Sequence, residues 1–257
     1  MKFARFEYQG KIYNGTVEAE EITVIKGSFW NHFDVTNQKY PISEVSFLPA
    51  VLPTKIVCVG QNYRGHIEEL GMPVPQEPLI FLKPPSCLIG HEHPIIYHRV
   101  AERIDYEGEL AIVIKNKMRN VNEIDVLNYV LGYSCFNDVT ERNMVGDNPF
   151  LLSIAKGFDT FGPFGPYIVT GLDPNHLMLK TYLNGELKQQ DNTNNCVFSI
   201  QQVLSYISRY MTLLPGDIVT TGTPKGIAPM QPGDTGEVEI EGIGCLRNSV
   251  QPDPESR

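Results

Sequence analysis

With 257 residues, 42% of them hydrophobic and 20% charged, the chain is long enough to bury one large core, or a substantial domain with a small one beside it. A formal charge of -9 with no basic stretch argues against a nucleic-acid partner, and five scattered cysteines without a Cys-x-x-Cys pair argue against zinc ribbons and disulfide scaffolds. No apolar run approaches the roughly 18 residues of a membrane span, so the expectation is a cytoplasmic chain with no membrane partner.

The 22 glycines and 19 prolines, spread among short β-rich runs, predict a mainly β, α+β fold with a few helices. Phe3 to Tyr8, Lys11 to Glu18 and Glu21 to Ile25 read as strands joined by hairpin turns. Leu48 to Pro53 reads as a linker, and Lys55 to Gly60 begins a buried strand of a second unit. The expected division is a small N-terminal β domain at 1–50, a catalytic domain at 51–250 and a tail at 251–257.

Asn62 to Leu70 is predicted as a short helix, capped by Asn62 and stopped at Gly71, with Pro73 to Pro78 unable to continue it. His66 and Glu69 stand three residues apart on that helix and can form a hydrogen-bonded dyad, in which the carboxylate raises the basicity of the outward imidazole nitrogen. A solvated helix face has the same spacing. His91-Glu92-His93 is followed by Pro94 and reads as a turn leading into Ile95-Ile96-Tyr97, not as a zinc site.

Glu107 and Glu109 flank Gly108 and run into the apolar stretch Leu110 to Ile114. Side chains at i and i+2 of a strand share a face, so the two carboxylates can converge while Gly108 leaves the other face open. Asp138, at the end of the β-like run Gly132 to Phe136, supplies a third. Converging carboxylates repel one another unless a cation sits among them, and hard oxygen donors select Mg, Mn or Ca. Glu237-Val238-Glu239-Ile240-Glu241 has the same spacing but alternates as a strand with one wet face does, whereas the run after Glu109 should be buried on both faces.

Further helices are predicted at Glu123 to Leu131, capped by Asn122, and at Gln201 to Met211, where Ser199 and Gln202 fit a capping box. Arg142 follows Asp138 by four residues, and in a helical turn the two would share a face; a surface ion pair of little consequence has the same spacing. Lys156, between small and aromatic residues in Ala155-Lys156-Gly157-Phe158-Asp159, reads as partly buried and in need of a partner. Thr221-Gly222-Thr223-Pro224-Lys225-Gly226 lacks the spacing of a phosphate loop, although its amides and hydroxyls can hold a carboxylate.

Asn62-Tyr63-x-x-His66, Phe81-Leu82-Lys83-Pro84, Tyr106-Glu107-Gly108-Glu109-Leu110, Asn137-Asp138-Val139-Thr140-x-Arg142, Ala155-Lys156-Gly157-Phe158-Asp159 and Thr221-Gly222-Thr223-Pro224 occur in that order. With these motifs the chain resembles the fumarylacetoacetate hydrolase family from about residue 55 to 245. The resemblance implies a mixed β-roll catalytic domain, a homodimer, and Mg2+ or Mn2+ held by Glu107, Glu109 and Asp138. It further implies His66 with Glu69 as the base dyad, Lys156 in catalysis, and Tyr63, Arg142, Lys156 and Thr223 as contacts of a 2-oxo or β-diketo acid. The implied chemistry is C–C hydrolysis, decarboxylation or isomerisation through an enolate.

Many relatives carry Gln three residues after the arginine, where this chain has Val145, so a polar substrate contact is missing. The short N-terminal unit resembles that of the smaller prokaryotic members named as hydroxyheptadienedioate isomerases, which points toward aromatic catabolism. The rival reading is a metal- or ligand-binding protein that keeps the fold without catalysis.

Overall fold

Apolar and polar residues alternate through the N-terminal stretch, and the structure, a computed structural model describing residues 1–254, folds it into five strands. They are β1 (Lys2–Tyr8), β2 (Lys11–Glu18), β3 (Glu21–Gly27), β4 (Phe33–Pro41) and β5 (Ser46–Leu48). Next come β6 (Ile56–Gly60), α1 (Arg64–Glu69), β7 (Leu79–Lys83), β8 (Leu88–Ile89), β9 (Ile95–Tyr97), β10 (Ile104–Asp105) and β11 (Gly108–Ile114). The middle of the chain forms β12 (Val130–Asn137), β13 (Thr140–Glu141), α2 (Arg142–Asp147), α3 (Leu152–Ala155), β14 (Gly162–Val169), β15 (Met178–Leu183) and β16 (Glu186–Asn192). It closes with α4 (Ile200–Tyr210), β17 (Ile218–Thr220), β18 (Pro229–Met230), β19 (Thr235–Ile240) and β20 (Gly244–Pro252).

Twelve strands share one sheet, in the order β4-β3-β2-β1-β14-β12-β11-β17-β6-β7, with β5 on β1 and β8 on β14. A second sheet runs β16-β15-β19-β20-β9, and a small third one β13-β10-β18. The N-terminal strands are continuous with the large sheet, because β1 lies against β14 with Phe3 opposite Ile168. β20 runs to Pro252, into the predicted tail; residues 255–257 lie outside the described residues. Among the described residues no helix is long and apolar enough to cross a membrane.

β11 explains the layering. It is buried along its whole length, and its pleat sends Leu110, Ile112 and Ile114 to one face and Ala111 and Val113 to the other. The first set meets Val203, Leu204 and Ile207 of α4; the second meets Phe136, Phe164 and Ile168. Each such side chain removed from water contributes about 1.5–3 kcal/mol. α4 carries the capping box expected of Ser199 and Gln202, with Gln202 N donating to Ser199 Oγ at 3.2 Å and Ser199 N to Gln202 Oε1 at 2.9 Å. On β19, Val238 and Ile240 are buried while Glu237 and Glu239 are half-exposed, as the alternation predicts.

Three local expectations are corrected. α1 begins at Arg64 without a side-chain cap, because Asn62 is used elsewhere: its amide donates to Thr221 O at 2.9 Å and its Oδ1 accepts from Phe198 N at 2.9 Å. The helix predicted at 123–131 is a single 3-10 turn, Val126–Tyr129, since Val130 already pairs with Ile114 in the β12 ladder. β13 intervenes between Asp138 and Arg142, so they share no helical turn.

Besides the β1–β14 pairing, two contacts tie the N-terminal strands and the segment after them to the turn before β17. Trp30, the single tryptophan, packs beside Phe29 and over Gly216, ahead of β17. Asp217, its side chain wholly buried, accepts from Thr54 N at 2.9 Å, Thr54 Oγ1 at 2.7 Å and Leu214 N at 2.8 Å, and pairs with Lys55.

Candidate active site

Glu107 and Glu109 straddle the first residue of β11 and point to one side of the sheet. The other face of Gly108 is not open, as its lack of a side chain suggested, but closed by Thr181, whose Oγ1 would lie 2.1 Å from a Cβ placed there. The β11–β12 register, Gly108 opposite Asn137, carries Asp138 to the same place, and Asp138 N donates to Glu107 O at 2.8 Å. One oxygen from each of Glu107, Glu109 and Asp138 lies within 4.8 Å of the others, and all three residues are buried.

Cations from three other segments answer this charge. Lys156, just after α3, places Nζ 2.6 Å from Glu107 Oε2 and 2.6 Å from Asp138 Oδ2, and 5.2 Å from the centre of the Phe81 ring. Lys83, at the end of β7, lies 2.7 Å from Asp138 Oδ1 as an ion pair, with its ammonium directed as a hydrogen bond to Val139 O at 3.2 Å. Arg142 pairs with Glu107, and its Nε donates to Asp105 Oδ2 at 3.0 Å; Asp105 is held in turn by Arg103 at 2.8 Å. Arg142 thus meets Asp105 and Glu107, not the Asp138 that sequence spacing suggested.

The carboxylates are driven apart electrostatically. Burial pushes the Glu107 carboxyl up, but Lys156 and Arg142 outweigh it and hold it at about 2. Glu109 is raised well above the usual range by burial, then by the charges of Asp138 and Glu107. Its hydrogen bond comes from the Gly222 amide, at 2.9 Å, not from a cation. Three buried hard oxygen donors, with the Glu109 carboxylate paired to no cation side chain, suit a divalent cation.

His66 and Glu69 form the expected dyad on α1, with Nδ1 and Glu69 Oε2 2.9 Å apart. Glu69 Oε1 accepts from Gly226 N at 2.9 Å, so the dyad is anchored to the loop after β17. His66, the three carboxylates, Arg142, Lys156 and Thr223 line one cavity of about 240 Å³. The same cavity is also lined by the apolar Leu70, Leu79, Phe81, Val145 and Leu152. Tyr63 is not brought there: it is wholly buried, pairs by its backbone with Cys196, and is not among the lining residues. His91 and His93 lie on the turn before β9, bonded to Arg247 N and Ser46 Oγ.

Two residues escaped the sequence reading. Lys83 stands in a motif noted above but received no role, and its signal was a lysine ending an apolar strand. Asp105, whose side chain is wholly buried, positions Arg142; nothing local in the sequence marks it.

A family profile described as "Fumarylacetoacetate (FAA) hydrolase C-terminal" matches residues 55–251, and one described as "Rv2993c-like, N-terminal" matches residues 1–49. The chain is 39% identical over 222 residues to "Oxaloacetate tautomerase FAHD2B, mitochondrial" of Bos taurus, covering 82% of this chain and 71% of that protein. The solved structure of a 5-carboxymethyl-2-hydroxymuconate delta-isomerase from Mycobacterium smegmatis superposes with a TM-score of 0.92 at 35% identity, covering 98% of this chain and 100% of the other. The maleylpyruvate hydrolase of Sphingobium sp. SYK-6, in complex with manganese(II) and pyruvate, does so with a TM-score of 0.82 at 28% identity, covering 98% and 99%.

Proposed function

Because the chain belongs to the fumarylacetoacetate hydrolase family of enzymes, we propose that it acts on a small 2-oxo or β-diketo acid by isomerisation, C–C hydrolysis or decarboxylation. The observation that carries this reading is the sharing of one cavity by a carboxylate triad and a His–Glu dyad. Oxaloacetate, muconate-derived and maleylpyruvate substrates, named for the similar proteins, are all 2-oxo acids or their enols, and the last two belong to aromatic-ring breakdown.

Glu107, Glu109 and Asp138 would hold Mg2+ or Mn2+, which when bound supplies a Lewis acid for the carboxylate and keto oxygens of such an acid. His66 is the proton carrier: Glu69 accepts at Nδ1, which leaves Nε2 free to take a proton from the carbon beside the keto group or from water. Lys156 and Arg142 place positive charge where the enolate oxygen and a carboxylate develop. The apolar lining with Val145 excludes water and favours a substrate end without charge.

We further propose a cytoplasmic homodimer. Leu82 on β7, at the end of the large sheet and on the face away from Leu79, is 45% exposed, which suits a second copy. The deciding experiment is turnover of an acylpyruvate, oxaloacetate, fumarylacetoacetate and a hydroxyheptadienedioate with Mg2+, with Mn2+ and with chelator. Chelator-sensitive loss of one compound is expected, and its product names the reaction; no turnover of any of them overturns the proposal.

A further inference from the structure

Gln189, on β16 and fully buried, takes no part in the reading above, yet both of its amide atoms are bonded, and one of the partners, Thr223, lines the cavity. Its Oε1 accepts from Gly108 N at 3.1 Å, and its Nε2 donates to Pro224 O at 2.7 Å. A backbone N–H can only donate and a carbonyl can only accept, so these partners fix which end of the amide is oxygen and which is nitrogen. The second Nε2 hydrogen is then directed at Thr223 Oγ1, 2.8 Å away.

Thr223 Oγ1 also lies 3.0 Å from Gly108 O, an acceptor, so the single hydroxyl hydrogen is spent there. What remains is one lone pair. The carbonyl–amide pair of Gly108 belongs to the first residue of β11, set opposite Asn137 of β12, so it is a fixed reference against which the Thr223 rotor is set. The Gly222 amide is occupied by Glu109, and the Gly226 amide by Glu69. These two amides of the 221–226 loop are therefore already spent on the carboxylates of the site.

We propose that Gln189 is a positioning residue that turns the Thr223 hydroxyl so that it offers the cavity a lone pair and no hydrogen. The ligand group that meets this hydroxyl then carries a proton of its own, an enol O–H or a water; the hydroxyl itself does not hold a carboxylate. This rests on the 2-oxo acid reading and narrows it: Thr223 selects the enol form or places the water, while the acid group is left to Arg142, Lys156 and the cation.

Gln189→Leu keeps the volume and removes the amide; Gln189→Met is the second variant should the first fold poorly, and both are compared with Thr223→Val and the double variant. Acting through Thr223, Gln189→Leu and Thr223→Val should each lower kcat about tenfold to a hundredfold, and the double variant should be no worse than the poorer single. Oxalate, a dianion with no O–H, should bind the Mn2+-loaded wild type, Gln189→Leu and Thr223→Val with affinities within about twofold of one another, a pattern that general loss of structure would not give. Three results overturn the proposal: unchanged kcat in both folded Gln189 variants, multiplying losses in the double variant, or a parallel tenfold loss of oxalate affinity. If the wild type neither binds oxalate nor turns over any 2-oxo acid, the functional reading itself falls, an outcome separate from those three.

Discussion

Lys83 has no accessible side-chain surface and stands against an equally buried Asp138, so removing it leaves that buried carboxylate with Lys156 alone. Lys83→Met is expected to lower stability by about 3 kcal/mol, read from the guanidinium midpoint, since breaking a buried pair costs more than the pair contributes. Glu107→Gln keeps the shape but removes a charge that answers both Lys156 and Arg142. Turnover is expected to fall by more than about a hundredfold with the fold intact by circular dichroism, whereas retained turnover with a normal metal dependence would misplace the site. Local spacing made two pairs legible in advance, Glu107/Glu109 by the pleat and His66/Glu69 by the helix turn, whereas Asp138, Arg142, Lys156 and Thr223 were reached through the order of motifs along the chain. Asp105 and Lys83 were silent because their partners, Arg142 and Asp138, come from distant segments that only the folded sheet brings together.

At the level of elements, α1 is six residues long, and the stretch beyond it exposes Met72 and Val74 while carrying the chain from His66 to β7. Few contacts hold such a segment, so α1 and residues 71–78 are expected to gain amide hydrogen-exchange protection when ligand binds. Equal, high protection with and without ligand would argue that this lid does not move. Gly108→Ala tests the opposite kind of element. A methyl would meet Thr181 Oγ1 in a strand that cannot shift, so a loss of about 1–3 kcal/mol is expected in thermal unfolding, relieved in part by Thr181→Ala. α4 was readable because its cap and its apolar face are both local. The helix expected at 123–131 failed because a ladder with β11 outweighs the weak preference of a short polar segment.

For the molecule as a whole, Asp217 joins the segment at Thr54 and Lys55 to the turn before β17. Burial pushes its carboxyl up, but the hydrogen bonds from Lys55, Leu214 and Thr54 together leave it below the usual 3.8. A carboxyl depressed by folding stabilises the protein above its unfolded value and ceases to do so as pH falls through the folded one. Asp217→Asn should therefore cost about 2 kcal/mol at neutral pH, and the gap to the wild type should narrow below about pH 4 in pH-dependent urea unfolding. The mainly β character of the chain was legible in its glycines, prolines and short strands, but the merging of the N-terminal strands into the large sheet was not, because the β1–β14 pairing joins residues far apart in the chain. Trp30 sits on that seam, over Gly216 and away from the cavity. Tryptophan fluorescence, excited selectively over the twelve tyrosines, is thus a gauge of how firmly the first fifty residues are docked, and it should be unmoved by events among the carboxylates, so that loss of the signal and loss of turnover can be timed independently on one sample.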